Sequence, residues 1–255
     1  MLGRLGRRRR SANDEPFPDV WRERLAVRWA VWPTLDDAER ARVERLTMSL
    51  VASLRWEAAQ GFTVTDEMKV LVSAQASLLV LGLDDDVFRK VTSVILHPRT
   101  VVLRGTRRVE GGLVSDSPYS VSGQAHHGGP VVLAWSTTAF EARHPDRGQN
   151  VVYHEFAHQL DMLDGMIDGM PPIRDASLRE RWVRACTSEY QAIRRGEERV
   201  LREYAGVDTG EFFAVATESF FSIPVAVREG APALYSVLRE FYGQDPAARL
   251  ERSRA

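Results

Sequence analysis

The chain has 255 residues, of which 44% are apolar, and this is enough for one compact domain with a buried core. The formal net charge of −1 argues against nucleic acid as a direct partner, and no run of about 18 apolar residues is present to span a membrane. A single cysteine, Cys186, excludes an internal disulfide and favours a reducing compartment, so we expect a cytoplasmic protein.

The N-terminal part of the chain is predicted to be helical after a short tail. Residues 1–15 are rich in arginine and lack the apolar stretch of a signal peptide, so we expect a disordered basic tail. A single domain should follow over about residues 16–250. Its first part, about 20–83, contains three stretches in which apolar residues recur at helical spacing. These are 21–30, 34–60 and 65–82. The third is almost wholly apolar, so it should lie in the centre of the core.

The middle part, about residues 90–165, changes to β-branched runs separated by glycine and proline, which is typical of strands. These runs are 93–96, 100–103 and 130–135. Because the last run directly precedes the motif described below, we expect it to be the edge strand of a small sheet, where an extended peptide substrate would pair. The candidate substrate-binding residues are Val131, Val132, Leu133 and Ala134.

Helical spacing returns in the C-terminal part, about residues 175–245. The predicted helices there are 177–196, 209–222 and 232–242. The predicted class is therefore α+β, mostly helical, with a small sheet whose edge strand precedes the helix that carries the motif.

Residues 154–158 spell H-E-x-x-H on a stretch predicted to be a helix that begins after Asn150. Residues four apart lie on one helical face, so His154 and His158 can bind the same zinc ion. Glu155, beside the first ligand, can take a proton from a water on the metal. The motif therefore predicts a zinc-dependent hydrolase with Glu155 as its general base.

Two histidines do not complete a zinc site, and a third ligand must be found. Asp164 occupies the third-ligand position of the extended zinc motif, but Asp161 stands where that motif needs a glycine to turn the chain. Glu211 and Glu218 lie on a later apolar helical stretch, seven residues and therefore about 10 Å apart along its axis, so only one can be a direct ligand. Glu211 is our prediction, and Glu218 is the alternative, or else an acid that supports the ligands from behind.

Several segments taken together are more specific than this motif alone. They are Thr65–Lys69, Ala74–Ala76, Leu78–Leu83, Gly129–Trp135, Asn150–Asp161 and Tyr204–Phe221. Through them the chain, from about residue 20 to about residue 245, resembles the Mlc titration factor A family of bacterial zinc metallopeptidases. That family is similar in turn to the protease domain of the toxin lethal factor, and this resemblance implies a zincin-like fold.

The resemblance also implies roles for individual residues. In the family's pattern the metal-binding glutamate opens an E-F-F-A stretch and a tyrosine precedes it by seven residues, a spacing that Glu211 and Tyr204 match. Tyr204 would donate its phenol to the oxyanion of the tetrahedral intermediate. Asp161, three residues after the second histidine, matches an aspartate that would orient a ligand imidazole.

We therefore expect a zinc metallopeptidase that hydrolyses peptide bonds, and the resemblance implies aminopeptidase-like activity on short peptides. The resemblance also implies an alternative of another class, a regulatory protein that binds and sequesters an Mlc-like transcriptional repressor, with catalysis secondary. Glu155 favours the enzyme, because a protein that only binds would not need a general base.

Overall fold

The computed structural model describes residues 16–99 and 130–254. Between these two ranges it describes only the backbone of five short strands, which are given with the others below. The predicted basic tail, residues 1–15, lies outside the described residues.

Helices make up most of the described chain. They are α1 (Asp19–Arg28), α2 (Asp37–Ser53), α3 (Asp66–Leu79), α4 (Trp135–Glu141), α5 (Val151–Asp161), α6 (Ala176–Arg194), α7 (Thr209–Ser222), α8 (Pro224–Gly230), α9 (Pro232–Tyr242) and α10 (Pro246–Arg252). Short 3-10 turns lie at Trp32–Thr34, Pro145–Arg147, Met162–Asp164 and Glu203–Gly206. The three helices predicted for the C-terminal part correspond to α6, α7 and α9, whereas α4, α8 and α10 were not predicted.

The strands are short. They are β1 (Arg55–Ala58), β2 (Ser93–His97), β3 (Val101–Leu103), β4 (Arg107–Arg108), β5 (Val114–Ser115), β6 (Tyr119–Val121), β7 (Gly123–Ala125) and β8 (Val131–Ala134). Together with the many helices they confirm the predicted α+β class.

Side-chain caps explain where the helices of the core begin. The Thr65 hydroxyl accepts a hydrogen bond from the backbone N–H of Met68 at the start of α3, and Asn150 Oδ1 accepts one from Tyr153 N (3.0 Å) at the start of α5. Both residues are effective caps, because their short polar side chains satisfy a backbone donor that has no partner within the helix.

The second predicted helix is too long. It was expected to reach residue 60, but α2 ends at Ser53 and residues 55–58 form strand β1. β1 pairs in parallel with β2, so that Trp56 lies opposite Val94. Pairing with a distant strand overrides the local helical spacing here, and only the folded chain reveals that partner.

The main sheet has the order β1-β2-β8-β7 in the described chain, with β1, β2 and β8 parallel and β7 antiparallel to β8. Leu133 of β8 lies opposite Leu96 on one side and Gly123 on the other. The prediction that this strand is the edge is therefore wrong. Because its backbone groups have partners on both sides, an extended peptide cannot add to β8. β3, which was expected in the same sheet, pairs instead with β6.

Helix α3 lies in the centre of the core, as predicted, with every residue from Val70 to Val80 buried. Helix α5 packs against both α3 and α7. On α5, Phe156 contacts Phe88 edge to face, and Tyr153 accepts a hydrogen bond from the indole of Trp29 (3.2 Å). Full burial of such side chains contributes roughly 1.5–3 kcal/mol each, and it fixes the rotation of α5 about its axis.

Among the described residues, no single helix is long and apolar enough to cross a membrane. Helices α7 and α8 together have the length and composition of a membrane span, but the chain bends by 117° between them.

Candidate metal centre

Helix α5 presents the two motif histidines on one face. The side chains of His154 and His158 retain only 11% and 13% of their exposure, and their rings meet edge to face with centroids 4.8 Å apart. Their Nε2 atoms lie 3.2 Å from each other. At this distance the lone pairs of two unprotonated ring nitrogens would repel each other, unless a proton or a cation lay between them.

Helix α7 supplies the third side chain. Its N-cap is Asp208, whose carboxylate accepts a hydrogen bond from the backbone N–H of Glu211 (2.8 Å) and so sets the first turn. Glu211 Oε2 lies 3.0 Å from His154 Nε2 and 3.7 Å from His158 Nε2. The two helices that pack together thus bring two histidines and one glutamate to a common point.

Gly210, next to this ligand, allows the close approach of the chain that follows α5. A Cβ atom at this position would lie 2.9 Å from Ile167 Cγ2 and 3.6 Å from a carboxylate oxygen of Asp161. The glycine that weakens the start of α7 by propensity therefore gives room to the neighbouring segment.

The three side chains fit a zinc ion. Each offers one ligand atom, and these atoms lie within 4.8 Å of one another. Ligands at about 2.0–2.1 Å in a tetrahedron would lie about 3.3 Å apart, close to the measured separations of 3.0, 3.2 and 3.7 Å. Glu211 Oε2 is buried without a hydrogen-bond partner, as expected for an atom reserved for a cation. Asp164 does not join the group, and its carboxylate accepts the N–H of Met166.

Glu218 supports His154 from the side opposite to the ligand group. It is 2% exposed, and its Oε1 lies 2.5 Å from His154 Nδ1. Its other oxygen accepts the backbone N–H of Asn150 (2.9 Å). A carboxylate on Nδ1 keeps the proton there, so that Nε2 presents its lone pair toward His158 and Glu211.

The electrostatics of the site favour a positive charge. Burial favours the neutral imidazole of His154, but the carboxylates around it outweigh burial and raise its pKa to about 10. Burial likewise favours a neutral Glu211, yet the two imidazoles hold the pKa of that carboxyl well below its usual range. An environment that stabilises an imidazolium also stabilises a metal cation at the same place.

Glu155 is buried close enough to the group to feel the charges of His154, Glu211 and Glu218. It is 3% exposed, and its Oε2 has no hydrogen-bond partner in the described structure. Burial raises its pKa to about 8, an effect that His154 opposes and that Glu211 and Glu218 reinforce. A buried carboxylate with an unused oxygen beside the ligand group is suited to exchange a proton with a reacting molecule.

Tyr204 lies on the open side of the group. Its side chain is 37% exposed and comes from the 3-10 turn Glu203–Gly206. The phenol donates a hydrogen bond to Glu211 Oε1 (3.1 Å), and the ring centroid lies 6.2 Å from that of His154. The structure therefore brings Tyr204 to the ligands, as the spacing implied.

Asp161 does not make the contact expected of it. Its Oδ2 accepts the backbone N–H of Gly169 (3.0 Å), and its Oδ1 is buried without a partner. The expected hydrogen bond to a ligand imidazole is therefore not formed, and Glu218 takes that position at His154. Gly169 has a φ of +77°, and a Cβ atom there would lie 2.1 Å from the carbonyl oxygen of Thr209, so only glycine fits.

Other residues of the site were not predicted. Arg202 donates to Glu218 Oε1 (2.5 Å), Glu141 accepts the N–H of Val151 (2.6 Å), and Gln75 accepts from Asn150 Nδ2 (2.7 Å). These contacts join segments far apart in the chain, so no local spacing marks them. The candidate substrate-binding residues of β8 are mostly buried, with Val132 alone partly exposed among the four.

Known proteins resemble this chain along almost its entire length. The family of glucose-regulated metallo-peptidases M90 matches residues 4–243. Mlc titration factor A of Salmonella typhi is 33% identical over 254 residues, which cover 95% of this chain and 91% of that protein. Mlc titration factor A of Serratia proteamaculans is 32% identical over 243 residues, or 92% and 90% of the two chains. An uncharacterized protein of Synechocystis is 30% identical over 236 residues, or 91% and 86%.

These matches confirm the resemblance to the Mlc titration factor A family. They include both helices that supply the histidine and glutamate ligands, so the group His154, His158 and Glu211 lies inside the matched region. Because the family match spans residues 4–243, the chain belongs to the glucose-regulated metallo-peptidases M90.

Proposed function

We propose that this protein is a zinc-dependent peptidase with a zincin-like active site. The observation that carries the proposal is the convergence of His154 Nε2, His158 Nε2 and Glu211 Oε2. Glu155, buried and with one carboxylate oxygen unpaired, is close enough to His154 and Glu211 to feel their charges. Two imidazoles and one carboxylate are a usual protein ligand set of catalytic zinc. When bound, zinc would polarise the scissile carbonyl and make water more acidic.

Glu155 and Tyr204 carry out the proton transfer and the stabilisation of the oxyanion, respectively. Glu155 takes a proton from the attacking water as its oxygen bonds to the carbonyl carbon, and it delivers that proton to the leaving amine as the C–N bond breaks. Tyr204 donates its phenolic hydrogen to the carbonyl oxygen as negative charge develops there. For this its hydroxyl exchanges Glu211 Oε1 for the substrate, a change of partner that its exposed position permits.

The proposed substrates are short peptides, with cleavage beginning at the amino terminus. This finer assignment rests on the resemblance to the Mlc titration factor A family. A peptide reaches the ligands from the open side, where Tyr204 lies, because the opposite side is filled by Glu218 and Asn150.

The test is Glu155→Gln, which keeps the size of the side chain and removes the base. We expect the variant to bind about one zinc ion per chain, like the wild type, and to lose about 10²–10⁴ in kcat on a library of short peptides. Zinc is measured by atomic emission and cleavage by mass spectrometry. A wild-type protein that binds no zinc, or a variant that cleaves at the wild-type rate, would refute the proposal.

A second function is supported by the names of the relatives. Proteins 32–33% identical to this chain are called Mlc titration factor A, so an Mlc-like repressor is a candidate partner. The probe is purified Mlc from one of these bacteria, tested by calorimetry against the wild type and Glu155→Gln. Equal binding to both proteins would support a regulatory role independent of catalysis, and no binding to either would remove it.

A further inference from the structure

Arg202 contacts two parts of the metal centre at once. One guanidinium nitrogen donates to Glu218 Oε1 (2.5 Å), the same oxygen that lies 2.5 Å from His154 Nδ1. The centre of the guanidinium lies 5.1 Å from the centroid of the Tyr204 ring. Arg202 therefore links the buried support of a ligand with the exposed tyrosine of the open side.

The backbone around Arg202 is held by the core. Leu201 before it is 3% exposed and Ala205 after it is fully buried, while Arg202 itself begins the 3-10 turn that carries Tyr204. One short, anchored segment thus presents the arginine and the tyrosine two residues apart. Their mutual position is set by the turn and not by long flexible connections.

The charges of the site require such a cation. Glu155, Glu211 and Glu218 place three carboxylates around His154. The guanidinium of Arg202 offsets the negative charge of Glu218, to which it donates a hydrogen bond. Burial raises the pKa of the nearby Glu141 to about 7, and the positive charge of Arg202 partly opposes this rise. Without Arg202, Glu218 would be an almost fully buried carboxylate with only an imidazole and one backbone N–H beside it.

We propose that Arg202 is a positioning residue of the metal centre, which holds Glu218 against His154 and packs its guanidinium over the ring of Tyr204. This inference rests on the proposed zinc site. Two consequences follow from the two contacts. The contact with Glu218 should affect how tightly zinc is bound, and the contact with Tyr204 should affect turnover.

The test compares three variants. Arg202→Met removes the charge and the hydrogen bond, and Arg202→Lys keeps the charge but not the planar group that lies over an aromatic ring. Arg199→Met is the matched control, because Arg199 lies three residues earlier and pairs with the largely buried Glu189, away from the ligands. Zinc affinity is measured by competition with a chromogenic chelator, and ligand geometry by the visible spectrum of the cobalt-substituted protein.

We expect Arg202→Met to weaken zinc binding by about 10–100-fold and to alter the cobalt spectrum, as the loss of a hydrogen bond behind a ligand does. Arg199→Met should leave both at wild-type values even where its stability falls. Arg202→Lys should restore zinc affinity toward the wild type and still show a reduced kcat with little change in KM, because Tyr204 loses its planar neighbour.

Three results would overturn the inference. They are wild-type zinc affinity and spectrum in Arg202→Met, an equal loss in Arg199→Met, and wild-type kcat in Arg202→Lys. If Arg202→Met does not fold, Arg202→Lys decides the question through its kcat and KM. Zinc affinity and the cobalt spectrum do not depend on peptide cleavage. A wild-type protein that binds zinc but cleaves no peptide would therefore refute the proposed function and leave these two measurements to decide the role of Arg202.

Discussion

The two sides of the ligand group are built differently. On the buried side, Glu218 is 2% exposed and each of its oxygens has a partner, His154 and Arg202 on one and the backbone of Asn150 on the other. On the open side, Tyr204 is 37% exposed and holds Glu211 by one hydrogen bond of 3.1 Å. The buried side fixes the direction of a ligand, and the open side leaves a donor that can change partner.

This difference suggests how stability and chemistry are divided. Leaving a buried polar group without its partner costs about 1–3 kcal/mol, so the paired groups of the buried side tolerate little change. The partly exposed hydroxyl of Tyr204 makes no such demand, because water can take the place of a lost partner. Variants on the two sides should therefore have different effects. Those on the open side should change zinc binding or turnover directly. Those on the buried side should change the geometry of the ligands or the stability of the fold.

The largest effect is expected from removing the ligand on the open side. Glu211→Ala takes away one of three protein ligands, so zinc affinity should fall by more than the roughly 100-fold that loss of a supporting hydrogen bond costs. Asp164→Ala is the control, because Asp164 is exposed and only accepts the N–H of Met166. Chelator competition measures both. Full zinc affinity in Glu211→Ala, with loss in Asp164→Ala or Glu218→Ala, would show that the third ligand is misassigned.

Tyr204→Phe should affect turnover alone. It keeps the ring over Arg202 and deletes one donor, so kcat should fall by about 10²–10³ while zinc content and KM stay near the wild type. Tyr190→Phe serves as control, because the ring of Tyr190 packs on Phe212 and its hydroxyl accepts a hydrogen bond from Arg194 instead of contacting Glu211. Steady-state kinetics on a peptide substrate measure kcat and KM of both variants. An unchanged kcat in Tyr204→Phe would show that the hydroxyl of Tyr204 has no part in catalysis.

Glu218→Gln tests the buried side. The amide has the shape of the carboxylate, but its NH₂ group must face either the N–H of Asn150 or the donors of His154 and Arg202. In either orientation one donor of the amide faces another donor, so that one hydrogen bond is lost. The imidazole of His154 is then held less firmly, and zinc affinity should fall by about 10–100-fold. Chelator competition and a urea unfolding curve of the zinc-free protein measure the two effects separately. Zinc affinity equal to the wild type would show that His154 needs no support from this side.

The sequence predicts the parts of the site that depend on local spacing. His154, Glu155 and His158 are fixed by the helical repeat, and Asn150 by its capping chemistry, so a single segment is enough to place them. Glu211 needs a second helix to pack on the first, so the residues alone leave Glu218 as an alternative, and the resemblance to a known family supports the choice of Glu211. Arg202 is one of many arginines in this chain, and nothing local distinguishes it from those on the surface.

The errors in the fold have the same cause. Residues 55–58 follow the helical spacing of α2 but pair with β2. The position of β8 just before the motif predicts an edge strand, but the short strand β7, which its sequence does not reveal, pairs with its other side. In both places the partner strand is distant or short, and strand pairing is a property of two segments. Helix α3, whose burial is encoded within one apolar stretch, is predicted correctly.

The smallest effect is expected at the outer layer of the buried side. Asn150→Ser keeps an oxygen that can cap α5 and keeps the backbone N–H that binds Glu218, but it removes the donor to Gln75. Gln75 is fully buried, so its Oε1 loses its partner and unfolding of the zinc-free protein should become easier by about 1–3 kcal/mol.

Asp175→Ser is the matched control, because Asp175 caps α6 by accepting the N–H of Leu178. Replacing one good cap by another should change stability by less than about 0.5 kcal/mol. Zinc affinity should stay at the wild-type value in both variants, since the bond from residue 150 to Glu218 comes from the backbone. A loss of zinc affinity in Asn150→Ser would mean that the cap and the ligand support form one unit, and an unchanged stability would mean that Gln75 finds another donor. The first result would show that Gln75 of α3 helps to support the metal ligands through Asn150. The second result would show that this support does not reach beyond Glu218.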